Sequence, residues 1–145
     1  MARTQTRSDL SGGSGIRARQ SLYSDFDLTF IANPNNKDIT IKKDIAAIKQ
    51  SVKNLILTHK GERPFQPYLG STVNALLFEL ADVWTALDIQ DEIRYTLENF
   101  EPRIQVIDVI VTDNIDANRM KVTIIFRIVS IGQQDQVDFY LERVK

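Results

Sequence analysis

The sequence predicts an α+β fold, a single small domain with helices packed on an antiparallel sheet. Three observations carry that expectation. Apolar residues recur at spacings of three and four from Ile41 to Ile56, the period of an amphipathic helix. After Pro102 the pattern changes to β-branched residues in alternation. The alternating segments follow one another through short polar links, which favours a C-terminal three-stranded meander over a parallel sheet.

Taken in order, residues 1–21 read as a flexible basic arm and residues 22–145 as the folded domain. The arm holds a Ser-Gly-Gly-Ser-Gly run and has little to bury. Arg3, Arg7, Arg17 and Arg19 stand against Asp9, a net of +3 that leaves −4 for the remainder. Asp27 to Ile31 (DLTFI) is a short N-terminal strand candidate, closed by the turn cluster Asn33-Pro34-Asn35-Asn36. A helix from Ile41 to Thr58 follows, with Asp38 or Thr40 as its cap and Lys42, Lys43, Lys49 and Lys53 outside. Gly61 can take the left-handed backbone that ends a helix, and His59 complements the negative helix end. Pro64 and Pro67 hold the backbone extended around Phe65. A second helix over Thr72–Glu79, capped by Ser71 or Thr72, presents Val73, Leu76, Leu77 and Leu80. A third, with Thr85 and Asp88 as an imperfect capping box, buries Ile89, Ile93, Leu97 and Phe100. Pro102 stops it. Strands are expected over Ile104–Thr112, Met120–Ile131 and Val137–Val144. The second places Val122, Ile124, Phe126 and Ile128 on one face; the last turns Val137, Phe139 and Leu141 inward and Asp138, Tyr140 and Glu142 outward.

Composition narrows the function. The formal net charge is −1 over 145 residues, so no whole-chain field points to nucleic acid or to a membrane surface. Cysteine is absent, which removes disulfides and thiolate metal sites, and a single histidine supports neither a metal centre nor a triad. No apolar run suits a signal peptide or a membrane span. No cofactor is expected. A glycosidase needs two carboxyl groups roughly 5 to 10 Å apart, one with a raised pKa. Glu62, Glu79, Asp82 and Glu101 are available, but no pattern fixes a pair among them. Trp84, the lone tryptophan, reads as a core or hinge-packing residue.

The remaining chemistry is that of a surface to be held. Glu101-Pro102-Arg103 sets two charges, fixed by proline, between an apolar helix and an apolar strand, an arrangement suited to charge-assisted bonds with a partner as well as to an internal turn bridge. Arg63 and Phe65 are either interface anchors or cover for the protein's own core.

The order GERPFQPYLG, LLFE and EPRI, with YSDFDLTF upstream, resembles the baseplate wedge family of contractile phage tails, small sheath-initiator proteins often labelled lysozyme-like. The likeness runs from residue 22 to the C-terminus, and type VI secretion and bacteriocin relatives share it. It implies a structural, non-enzymatic subunit that binds the other wedge proteins through their helical core bundle and templates the first ring of tail sheath. Copies would stand six-fold about the tail axis, in a virion baseplate assembled in the host cytoplasm. The resemblance makes Glu101, Pro102 and Arg103 the contact to the core bundle. It also makes the last strand, with Val137, Asp138, Phe139, Tyr140 and Leu141, an uncovered edge offered to sheath. A lysozyme-like peptidoglycan hydrolase and an adaptor of a secretion or bacteriocin baseplate are the alternatives.

Overall fold

The computed structural model describes residues 21–35, 37–79, 83–114 and 119–142. Almost all of the basic arm, together with Leu80, Asp82 and the last three residues, lies outside them. The elements are β1 (Ser24–Phe26), β2 (Ile41–Lys43), α1 (Ile45–Leu57), α2 (Val73–Leu76), α3 (Val83–Phe100), β3 (Ile104–Asn114), β4 (Arg119–Ile128) and β5 (Gln134–Glu142). As the alternation predicts, β3, β4 and β5 form an antiparallel sheet in that order, and β1 pairs with β2 in a separate two-stranded ribbon.

One face of the sheet carries the core. Met120, Val122, Ile124, Phe126 and Ile128 are fully buried on β4, joined by Phe139 and Leu141 of β5 and by Ile104 and Val109 of β3. Against them lie Ile48, Val52 and Ile56 of α1 and Ile89, Ile93 and Leu97 of α3. Each such side chain contributes about 1.5–3 kcal/mol relative to exposure. The β3–β4 register slips once, between Val106 and Asp108, so that Ile107 bulges outward.

The N-terminal part departs from the expected pattern. Asp27–Ile31 is not a strand: the chain pairs one step earlier, Ser24–Phe26 against Ile41–Lys43. The helix therefore begins at Ile45, and Asp38 and Thr40 lie before β2 instead of capping α1. Ile41 stands one helical turn before Ile45, which disguises it as helical in sequence. The break falls at Asp44, whose φ of 49° is incompatible with helix. Its carboxylate accepts the Leu22 amide at 2.8 Å and so ties the chain entry to the start of α1.

Three helix ends also differ. α1 stops at Leu57, with Thr58 extended at ψ 128°, so Gly61 (φ 88°) belongs to the loop beyond, and the His59 ring lies 2.7 Å from the Asn74 side-chain amide of α2. α2 is a single turn. Thr85 lies inside the first turn of α3 instead of before it, which rules out the proposed box with Asp88. Trp84 is 71% exposed, not core: it occupies the side of α3 turned away from Ile89 and Ile93.

Candidate functional site

The link from α3 to β3 is one turn long. Pro102 prevents further helix and stays exposed, while Glu101 folds inward to 3% exposure. A carboxylate so placed must be paired. Arg103 reaches it with both Nε and Nη2, each donating at 2.6 Å, and Ser51 of α1 donates its hydroxyl at 2.7 Å. Burial pushes the Glu101 pKa up, but the bonds from Arg103 and Ser51 outweigh it and hold the group below its ordinary 4.5. The Arg103 guanidinium also lies over the Tyr23 ring, 5.4 Å from its centroid, and the Arg103 carbonyl accepts the Val129 amide at 3.0 Å. One turn thus joins α1, α3, the chain entry and the β4 end. Glu101 is its inner anchor. Pro102 and a half-buried Arg103 are the parts that reach the surface.

The loop after α1 is built the other way. Its neck is closed where His59 bridges Ser71, with the Ser71 amide donating to Thr58 O at 2.8 Å. Ser71 donates its hydroxyl to Ile56 O at 2.6 Å and accepts the Val73 amide at 3.4 Å, while Thr72, the N-cap of α2, makes no side-chain cap bond. Glu92 of α3 accepts both Lys60 Nζ (2.7 Å) and the Thr72 amide (2.9 Å). Gly70 (φ 124°) is required here, because a Cβ would meet Thr58 O at 2.5 Å. Inside the ring the Gly61 amide donates to Pro67 O at 2.8 Å. The ring holds Arg63 in the open and leaves Phe65 98% and Tyr68 83% exposed. Phe65 therefore covers no part of this chain's own core.

At β5, Phe139 and Leu141 are buried, Val137 is half-buried, and Asp138, Tyr140 and Glu142 face solvent. The strand is the sheet's margin. Its amide directions follow from one bond and the period of two. Ile128 donates to Gln133 O, so the β4 residues bonded to β5 are Ile128, Phe126, Ile124 and Val122, opposite Gln133, Asp135, Val137 and Phe139. The amides of Gln136, Asp138 and Tyr140 consequently point out from the free edge. That of Gln136 is capped by its neighbour Asp135 at 2.7 Å.

These three places stand apart from one another, as surfaces instead of a pocket of converging groups. Of the acids weighed for hydrolysis, Glu101 is ion-paired with a lowered pKa, the reverse of what a general acid requires. Glu62 accepts the His59 amide at 3.0 Å, and Glu79 is exposed at the end of its turn. Residue-by-residue reading did not single out Tyr68, Phe78 or the exposed α3 face with Trp84, Leu87 and Tyr95. The spacing of Trp84, Leu87 and Tyr95 on a face opposite Ile89 and Ile93 was the available signal.

Residues 42–132 match the family model described as baseplate wedge protein gp25. The chain is 34% identical over 108 residues to the baseplate wedge protein gp25 of Enterobacteria phage T4, covering 74% of this chain and 81% of that one. This chain belongs to the baseplate wedge family. Two solved structures share its fold. A Geobacter sulfurreducens protein with the provisional name tail lysozyme superposes with a TM-score of 0.63 at 23% identity, over 68% of this chain and 89% of that chain. A chain of the anti-feeding prophage baseplate gives 0.58 at 16%, over 85% and 87%. At these identities the likenesses speak to fold alone. The family match takes in the turn at Glu101–Arg103, the ring around Phe65 and β4, and stops at residue 132, before β5.

Proposed function

We propose that this wedge-family protein is a structural subunit of a contractile phage tail baseplate, held by other wedge proteins and serving as the template for the first ring of sheath. It acts by binding alone, within the virion baseplate, after assembly in the host cytoplasm. The observation that carries the templating role is the free edge of β5, where the amides of Asp138 and Tyr140 point outward beside a well-anchored inner face. An extended segment of sheath would add to it as a further strand. Phe65 and Arg63 on the ring, with Pro102 and the exposed part of Arg103, make the contacts to the wedge core, and Glu101 fixes their geometry from inside.

Tyr140→Pro tests the template. The Tyr140 amide takes no part in the β4–β5 ladder, so proline removes an edge donor and leaves the fold in place. Circular dichroism should match the parent, baseplates should form, and sheath should fail to polymerise on them. Full-length sheath on baseplates carrying the folded variant rejects the templating role.

The name of the Geobacter sulfurreducens structure favours one rival, a peptidoglycan hydrolase. Zymography with purified chain decides it: clearing of peptidoglycan that disappears in Glu101→Gln would establish an enzyme. The depressed Glu101 pKa supports the opposite outcome.

A further inference from the structure

One side of α1 lies outside the core. α1 buries Ile48, Val52, Leu55 and Ile56, yet Ala46, Lys49, Gln50, Lys53 and Asn54, on another side of the same helix, line an open groove of about 430 Å³. Its other walls are Val137 of β5 and the segment Asp27–Thr29 with Lys42. The groove therefore lies beside β5 on the core side of the sheet, under the place a fourth strand would occupy. Gln50 fixes its width, because Nε2 donates to the Phe26 carbonyl at 2.6 Å and holds the β1–β2 ribbon against α1.

The charges of this floor are unequal. Lys42 is paired with Asp27 at 3.1 Å and Lys49 with Asp135 at 2.8 Å. Lys53 is exposed and has no ion-pair partner among the described residues. Val137, Leu28 and Ala46 supply apolar surface between the lysines.

We infer that this groove reads the side chains of the strand added to β5, and that it selects an extended segment of a separate chain with an apolar residue at one inward position and a carboxylate at the next, two residues away, facing Lys53. This rests on the templating role proposed above and adds the chemistry of the incoming strand. Successive inward positions of a strand are spaced by two residues, which suits an apolar centre beside a single cation. The groove's surplus positive charge is a poor match for this chain's own residues 1–20, whose net charge is +3.

The test uses assembled particles and two substitutions. Lys53→Glu should slow sheath nucleation about tenfold at low ionic strength, with the deficit shrinking as salt is raised. Because the chain lacks cysteine, Lys53→Cys gives one site for a photoactivatable cross-linker. Mass spectrometry should find it joined to a segment of another chain carrying an apolar residue and Asp or Glu at alternate positions. If Tyr140→Pro blocks sheath while Lys53→Glu grows it at the parent rate, the strand adds but the groove does not read it, and the inference fails alone. If Tyr140→Pro has no effect, the templating role fails first. A cross-link to residues 1–20, or to a segment without an acidic residue, also overturns the inference.

Discussion

The turn at Glu101–Arg103 and the ring around Phe65 differ in the direction they face. Both are short, both contain proline, and both combine a charge with an apolar neighbour. In the turn, the carboxylate is buried and its bonds run to Arg103 and Ser51. In the ring, the polar bonds run through the neck and the aromatic side chains are left outside. A rigid motif can thus serve the fold or present a surface, and the destination of its hydrogen bonds tells which. Changes in the first should be read in stability as well as in assembly, and changes in the second in assembly alone.

Arg103→Ala should give the largest loss of stability. It strands a buried carboxylate with Ser51 as its remaining donor, at a cost of about 2–3 kcal/mol because the arginine itself is partly solvated. Thermal denaturation should show a Tm lower by roughly 8 °C. An unchanged Tm would move the turn into the same class as the ring. Phe65→Ala should do the opposite. With its ring exposed, stability should stay within about 0.5 kcal/mol of the parent, whereas incorporation into baseplates should weaken by about 2 kcal/mol, roughly thirtyfold, if it is an anchor. Competition between parent and variant during baseplate assembly measures this.

Acid sharpens the contrast. The folded Glu101 pKa is depressed, so its stabilisation is complete above the unfolded value near 4.5 and is lost as pH falls through the lower folded value. Urea titrations below about pH 4.5 should show a steeper loss for the parent than for Glu101→Gln. Glu92, Asp27 and Asp135 are also depressed and remain in both proteins, so the difference isolates the turn. The smallest effect belongs to removal of residues 1–20, which should leave Tm nearly unchanged, since that segment has little apolar surface to bury. A large fall would show that it packs on the domain.

The sequence made the C-terminal half legible because local signals and packing agree there. Alternation over β4 matches five buried positions, and Pro102 marks the boundary between two periods. The N-terminal ribbon was hidden because three-residue strands are too short to establish a period, and Ile41 fits the helical series that starts at Ile45. Only Asp44, at a positive φ that carries no sequence signature stronger than an acidic residue, separates them. Trp84 reads as core or hinge packing because large apolar residues usually bury; α3 has enough isoleucine and leucine on its other face to pack without it. For the turn, sequence identified the residues but could not tell that Ser51, distant in the chain, would draw Glu101 inward. The β5 edge was legible as alternation, while the direction of its amides required the β4 register.

The pinned neck of the ring also has a mechanical meaning. Force applied at Phe65 leaves the ring through two parallel segments closed at Ser71 and Thr58. From Thr58 it enters α1, from Ser71 it enters α2, and through Lys60 and Thr72 it converges on a single carboxylate of α3, Glu92. Three helices therefore share the load before any strand of the large sheet is pulled. At Gly70 backbone lies directly on backbone, so even one added methyl group there would open the neck at its tightest point.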